Sequence, residues 1–126
     1  MNETDLQGGI NDRTMTDRPL EWIGRSKEDL MDFPDDARRK AGFELRSIQQ
    51  GDVASDVKPM ATIGKGVEEI RIWTKDTYRV LYVAKFEEPV YVIHAFQKKA
   101  QKTSRNDIEL GQQRYQQMLQ QRNEKL

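Results

Sequence analysis

The chain has 126 residues, a formal net charge of zero, a hydrophobic fraction of 36%, one histidine and no cysteine. These values suit a single domain with a lean core, exclude a disulfide scaffold and a thiolate metal site, and argue against a site built from histidines. The absence of cysteine suits a reducing cytosol, and no apolar run approaches the roughly 20 residues that span a bilayer. We therefore expect a cytoplasmic protein with no membrane contact, and we expect no metal and no cofactor.

The first residues are polar, contain a Gly-Gly pair and show no hydrophobic periodicity. We predict that residues 1–17 form a disordered leader, which lacks the apolar segment of a secretion signal, and that residues 18–126 form the folded domain. The stretch "PLEWIG" (19–24) is then typical of a short edge strand. Ser26, with Asp29 three residues later, predicts a capping box at the start of a short helix over residues 27–32.

A longer helix is predicted within "FPDDARRKAGFELRSIQQG" (33–51). Pro34 suits the first helical position, and the two aspartates after it suit the positive end of the helix dipole. Gly51 predicts the end of the helix. Apolar residues recur at helical spacing and predict one buried face, formed by Ala37, Ala41, Leu45 and Ile48.

The hydrophobic period then changes to two, which indicates strands. Three strands are predicted in "VEEIRIWT" (67–74), "YRVLYVAKF" (78–86) and "VYVIHAF" (90–96), and their short connections require antiparallel pairing. A last helix follows Ser104, which forms a cap with Asp107. Its apolar stripe consists of Ile108, Tyr115, Met118 and Leu119. The predicted order is β-α-α-β-β-β-α, an α+β fold with two N-terminal helices and a C-terminal helix.

The hairpin register decides which side chains share a face, since paired residues point the same way. A three-residue "KDT" turn pairs Trp73 with Arg79 and puts Arg71 on the same face. A two-residue turn would drive one arginine into the core unpaired, which is costly. We therefore predict Arg71, Trp73 and Arg79 on one exposed face, where they offer cations for a phosphate and an aromatic ring for a base.

His94 is left open by the same argument. A three-residue "EEP" turn pairs it with Tyr82 on the core side, as a buried histidine bonded to a tyrosine or to the backbone. A turn of two or four residues brings it to the arginine face, where it could act as an acid or base.

Lysines follow the last strand. Lys98 and Lys99 stand between the strand end and the helix start at Ser104, where side chains and backbone N–H groups favour an anion site, although a solvated loop has the same pattern. Basic residues also outnumber acidic ones between Lys58 and Arg105. This gives a neutral chain a locally basic face that suits a polyanion.

Residues 69–115, "EIRIWTKDTYRVLYVAKFEEPVYVIHAFQKKAQKTSRNDIELGQQRY", resemble the RelE/HigB group of toxins from bacterial toxin–antitoxin pairs, and most of all its phage-related HigB branch. The stretch "FPDDARRKAGFELRSIQQGDVASDVKPM" (33–60) is similar to the helix and following basic strand of that branch. The combination of "YRVLY", "HAFQKK" and a polar-capped helix carries the resemblance, which covers about residues 19–120. The chain departs from the pattern at Gly111, where alanine is expected and glycine should weaken the helix slightly.

The resemblance implies a small, microbial-RNase-like fold and cleavage of mRNA in the ribosomal A site. It implies the ribosome and mRNA as partners, and a helix-turn-helix, HigA-like antitoxin through which alone operator DNA would be bound. Arg79 matches the arginine that the family commonly requires, and Arg71 matches a basic strand position. Lys98 and Lys99 match the basic residues after the last strand. His94 matches a histidine that is frequent in the branch.

In the implied reaction the ribose 2′-OH attacks its own 3′ phosphate, which requires a base, a cation on the phosphorane and an acid for the 5′ oxygen. We predict Arg79 and Arg71 at the phosphate. Lys98 or Lys99 is predicted as base or acid, because clustered cations lower the pKa of a lysine, and His94 competes for one of these roles. RNA contacts are predicted for Trp73, Phe96, Lys102 and Arg105.

Two other functions fit the same sequence. A ParE-like toxin would have this fold, bind DNA gyrase and cleave no RNA. A non-enzymatic, phage-derived RNA-binding module would use the basic face without any reaction.

Overall fold

The computed structural model describes residues 17–85 and 89–125 of the chain. Its elements are β1 (Leu20–Trp22), α1 (Ser26–Met31), α2 (Asp35–Gln49), β2 (Val57–Pro59), β3 (Val67–Trp73), β4 (Thr77–Val83), β5 (Val90–Lys98) and α3 (Arg105–Lys125). The predicted order is confirmed apart from β2, a three-residue strand that is absent from that order but matches the basic strand implied after α2 by the resemblance. The predicted leader, up to residue 16, and residues 86–88 of the predicted second hairpin lie outside the described residues.

The strands form one sheet in the order β1-β5-β4-β3-β2. All neighbours are antiparallel except β1, which pairs parallel to β5 at one edge. The predicted edge strand and the α+β fold with two early helices and a C-terminal helix are therefore confirmed.

Helices cover both faces of this sheet. On one face, α1 and α2 pack with the face of α2 predicted from its apolar spacing, and all four predicted residues are buried. On the other face, α3 packs through Tyr115 and Met118. A Cβ on Gly111 would lie 3.1 Å from Ile63 Cδ1 and 3.2 Å from Leu81 Cδ1, so glycine at this position lets α3 approach the sheet closely.

The helix starts agree with the predictions in one of three cases. Ser104 caps α3, because its Oγ accepts the backbone N–H of Asp107 at 3.1 Å and its hydroxyl donates to Asp107 Oδ2 at 2.7 Å. Pro34, predicted as the first helical residue, precedes α2, which begins one residue later, at Asp35. The predicted capping box of Ser26 is wrong, since this residue lies inside α1 and its buried hydroxyl donates to the Val92 carbonyl at 2.8 Å. Within the described residues no helix combines the length and apolarity needed to cross a bilayer.

The turn between β3 and β4 lies one residue earlier than predicted, which shifts the pairing register by two residues. Arg71 lies opposite Arg79 and Trp73 opposite Thr77, so the turn contains residues 74–76 and the predicted pairing of Trp73 with Arg79 is wrong. Because the turn keeps three residues, the alternation of side chains is preserved. Arg71, Trp73 and Arg79 therefore share one face, as predicted.

A bulge in β5 changes the position of His94. Leu81 pairs with His94 and Tyr82 with Val92, which leaves Ile93 between them without a partner. An extra residue of this kind breaks the alternation of a strand. His94 consequently lies on the α3 side of the sheet, the face that also carries Arg79, as in the second of the two alternatives. The alternative that pairs it with Tyr82 is wrong.

Candidate functional site

Half of the α3 side of the sheet carries four basic residues in place of an apolar layer. Lys58 on β2, Arg71 on β3, Arg79 on β4 and Lys98 on β5 come from four neighbouring strands, and the pairing register puts them on the same face. We call these four residues the basic face. Neighbouring strands lie about 4.8 Å apart and alternate residues about 7 Å apart. Arg71 and Arg79 are therefore direct neighbours, and Lys58 and Lys98 lie at opposite corners of the basic face.

Arg71 is held at the edge of the basic face by a single carboxylate. Its Nε and Nη2 lie 2.9 and 2.8 Å from Asp56 Oδ1. The other oxygen of Asp56 accepts the indole N–H of Trp73 at 2.6 Å. The hydrogen bond from Trp73 and then the one from Arg71 lower the pKa of the Asp56 carboxyl, which therefore stays charged and fixes both side chains.

Arg79 is buried at the centre of the basic face and incompletely paired. Its Nε lies 3.5 Å from Glu69 Oε1, and both residues are almost inaccessible, with 4% and 1% of their surface exposed. Neither Nε nor either oxygen of Glu69 makes a hydrogen bond with a described residue. Burial lowers the pKa of Arg79, whereas the charge of Glu69 raises it. Such a pair is an expensive structural element.

Trp73 covers the guanidinium of Arg79. The carbon at the centre of that group lies 5.2 Å from the centroid of the Trp73 ring, a cation–π distance. Trp73 is itself 51% exposed. One side of the ring thus shields Arg79, while the side chain as a whole remains accessible to a ligand.

The pKa of Lys98 is shifted by the charges of Arg79 and Glu69. Burial lowers the pKa of its ammonium group, followed by the positive charge of Arg79, and Glu69 acts in the opposite direction. Lys58 and Arg71 lower this pKa as well. All four members of the basic face are therefore close enough to interact electrostatically.

Next to the basic face, a pocket lies where β5 ends and α3 begins. It has a volume of about 470 Å³, and we call it the lysine pocket. Its lining includes Lys98, which it shares with the basic face, together with Lys99, Lys102 and Phe96. Arg105 opens α3 next to this pocket and is exposed, but it is not among the lining residues.

His94 lies in a buried polar network. Its Nε2 is 2.8 Å from Asp107 Oδ1, and its Nδ1 is 3.3 Å from Nη1 of Arg114, which also donates to Asp29 Oδ2 at 2.8 Å. Burial lowers the pKa of His94 and outweighs the opposing hydrogen bond of Asp107. A neutral ring that donates through Nε2 and accepts through Nδ1 satisfies both contacts. These surroundings correspond to the buried alternative, with partners that were not predicted.

A family model for "Phage derived protein Gp49-like (DUF891)" matches residues 28–116, which is more than half of the chain. The chain belongs to this Gp49-like family. The family is RelE-like and related to toxin–antitoxin systems, so the coarser part of the resemblance is confirmed and the narrower HigB assignment stays a prediction. No curated protein matched the sequence.

The predicted site residues of this Gp49-like chain fall into three groups. Arg71, Trp73, Arg79 and Lys98 are brought together on the basic face. Lys99, Lys102 and Phe96 line the lysine pocket, with Arg105 exposed beside it, but Phe96 is buried and stacks on His94 with ring centroids 4.8 Å apart. His94 lies apart from solvent beneath α3. The catalytic and RNA-binding roles assigned to all these residues stay predictions.

Three residues of the site are absent from the sequence-based prediction. Glu69 could have been found, because strand alternation puts it on the face of Arg71. Lys58 belongs to the short strand that the pattern does not show. Asp56 lies in a loop before that strand, and nothing in the local sequence indicates its contacts. The described residues of this Gp49-like protein contain no cluster of three or more His, Asp or Glu side chains that could hold a metal ion.

Proposed function

We propose that this Gp49-like protein is the toxin of a type II toxin–antitoxin system and cleaves mRNA in the ribosomal A site. The observation that carries the proposal is the basic face, in which three cations from three other strands surround one buried arginine. Family membership supports a toxin-like protein. The choice of an endoribonuclease, rather than a gyrase-binding toxin, rests on the chemistry of this face.

The pairing of Arg71 with Arg79 supports a phosphate site. Like charges directly opposite each other in an antiparallel sheet destabilise it, and here this arrangement lies beside an underpaired Glu69. A bound phosphate would add acceptor oxygens beside both guanidinium groups, whose present carboxylate neighbours are Asp56 and Glu69. In the proposed reaction Arg79 and Arg71 stabilise the charge that develops on the phosphorane.

The remaining steps are proton transfers. The 2′ oxygen bonds to phosphorus and releases its proton to a base, the bond to the 5′ oxygen breaks, and an acid protonates that oxygen. The products are a 2′,3′-cyclic phosphate and a 5′-OH. We assign one transfer to Lys98, whose pKa is lowered first by burial and then by Arg79, and the other to Lys99 in the adjoining pocket. No metal takes part in this scheme.

His94 has a positioning role in this scheme. Its ring nitrogens are engaged by Asp107 and Arg114, and its ring stacks on Phe96. It therefore supports the strand that carries Lys98. Trp73 offers the exposed ring for a base, and Lys102 and Arg105 offer charge to the RNA backbone.

The proposed partners follow from the weakness of this site as a free nuclease. It has cations but no accessible strong base, so orientation of the mRNA by the ribosome would provide much of the acceleration. A helix-turn-helix antitoxin would neutralise the protein, and operator DNA would be bound through that antitoxin.

Mapping RNA 5′ ends after induction in bacterial cells tests the proposal. Arg79→Lys keeps a charge beside Glu69 but loses the planar fork, so we expect about 10²-fold fewer cuts. Arg38→Lys makes the same change at an exposed helix residue paired with Asp35, and should leave growth arrest and cutting unchanged. The wild-type chain should leave 5′-OH ends in phase with codons.

Two results would contradict the proposal. Growth arrest by the wild-type chain without RNA cuts, accompanied by gyrase-dependent DNA breaks, would identify a ParE-like toxin. Equal cutting by wild type and a folded Arg79→Lys variant would remove Arg79 from the reaction.

A further inference from the structure

A pocket at the edge of the sheet, separate from the lysine pocket, lies between α2 and the end of β3. It has a volume of about 380 Å³, and we call it the edge pocket. Arg39, Lys40 and Phe43 line it from α2, and Arg71 and Trp73 from β3. Arg71 also belongs to the basic face, and Trp73 covers Arg79 there, so the two surfaces are continuous.

Two exposed aromatic side chains line the edge pocket. The described residues leave four large apolar side chains exposed, and the two aromatic ones among them, Phe43 at 68% and Trp73 at 51%, both line this pocket. The aliphatic ones, Met31 and Val53, do not. Aromatic rings beside cations form the combination that proteins use to bind unpaired nucleotides.

The walls of the edge pocket are fixed by hydrogen bonds. Lys40 Nζ donates to the Trp73 carbonyl at 2.6 Å and joins α2 to β3. Glu44 accepts the backbone N–H of Ser55 at 2.9 Å, and Asp56 holds the Trp73 indole. The two acidic residues of the lining are therefore occupied by protein donors. Arg39 is left to give the rim a positive charge.

We propose that the edge pocket binds one unpaired nucleotide of the RNA, next to the scissile phosphate, with its base against Trp73 and Phe43 and its phosphate at Arg39. This inference rests on the proposed function, since it needs an RNA on the basic face. Charge complementarity and continuity through Arg71 favour a nucleotide over a peptide. The pocket would then contribute to the choice of cut site.

Cut-site mapping with paired variants is the first test. Phe43→Ala removes one ring and should lower the number of cuts about 5- to 150-fold, the range for loss of one base-stacking contact, and change the preferred nucleotide beside the cut. Val53→Ala, a change at an even more exposed apolar residue outside the edge pocket, should behave as wild type. Arg39→Gln should weaken cutting more than Arg38→Gln.

Tryptophan fluorescence is the second test. The chain has two tryptophans, so Trp22→Phe leaves Trp73 as the sole emitter. Titration with an RNA hexanucleotide that is fully 2′-O-methylated, and therefore uncleavable, should quench this emission. Adding Phe43→Ala should weaken the titration by the same factor, and Val53→Ala should not.

The possible outcomes separate this inference from the proposed function. Wild-type cut positions and rates in Phe43→Ala would overturn the edge pocket as a nucleotide site and leave the nuclease intact. The same result together with loss of antitoxin neutralisation would assign the pocket to a protein. Absence of RNA cuts by the wild-type chain would instead contradict the proposed function.

Discussion

Two buried arginines on the α3 side of the sheet have opposite surroundings. Arg114 has 7% of its surface exposed, and its Nη1 contacts Asp29 at 2.8 Å, the Ile93 carbonyl at 3.2 Å and His94 at 3.3 Å. Arg79 has 4% exposed, its Nη1 donates to the Tyr78 carbonyl at 3.2 Å, and its Nε approaches Glu69 only to 3.5 Å without a hydrogen bond. Both arginines are desolvated, but only Arg114 receives full compensation from the protein.

This difference in pairing indicates a structural role for Arg114 and fits the proposed ligand-binding role of Arg79. A buried ion pair adds stability only when its geometry and hydrogen bonds are good, and Arg114 meets this condition by tying α3 to α1 and β5. Arg79 does not meet it and lies on the open half of the face. The Nε of Arg79 lacks an acceptor among the described residues, and a phosphate ligand would supply one.

Loss of Arg114 should have the largest effect on stability. Arg114→Met leaves the Asp29 carboxylate and the Nδ1 of His94 without their donor. We expect the free energy of unfolding to fall by about 3 kcal/mol, at the low end for a broken buried pair because a quarter of the Asp29 side chain is exposed. Urea unfolding followed by circular dichroism measures this. A loss under about 1 kcal/mol would show that the network is not the structural one.

The sequence alone predicts those features of the two arginine sites that depend on the alternation of side chains along a strand. Strand period and turn length are enough to put Arg71 and Arg79 on one face, and the cap at Ser104 follows from local chemistry. The bulge at Ile93, which moves His94 to the α3 side, depends on packing between β5 and α3. The hydrophobic period of β5 does not predict this bulge.

The underpaired state of Arg79 is equally hidden. A glutamate at an alternate position of a strand is expected to be exposed. The burial of Glu69 depends on the packing of side chains from neighbouring strands. Asp56 reaches Arg71 and Trp73 across about 15 residues of loop and strand. Pairwise contacts at such separations follow from the tertiary fold and not from any local period.

Removing the Arg79 pair as a whole should cost little. Glu69→Leu combined with Arg79→Met replaces two poorly bonded charges by apolar groups of similar size, a change that is often neutral or stabilising by about 1–4 kcal/mol. We expect unfolding free energy at or above the wild-type value, together with loss of toxicity. The same urea titration provides the comparison. A cost as large as that of Arg114→Met would mean that the two arginines are structurally equivalent after all.

The smallest expected effect is a pH dependence of stability that arises from His94 in the network around Arg114. His94 is the only histidine, and burial holds its pKa below 6.5 in spite of Asp107 and Asp29, while Arg114 lowers it further. The folded chain thus binds this proton less tightly than the unfolded chain. Its contribution to stability is complete above the unfolded value and is lost as the pH falls towards the folded pKa, with a slope of at most about 1.4 kcal/mol per pH unit.

His94→Gln should flatten this slope between about pH 7 and pH 5, where ordinary carboxyls are still ionised. Glutamine can donate to Asp107 and accept from Arg114, so it tests the titration and not the loss of contacts. Melting temperature against pH gives the readout, with Asp52→Asn as a control at an exposed carboxyl. An unchanged slope in His94→Gln would mean that the proton is taken up elsewhere, and that the network around Arg114 tolerates a charged histidine.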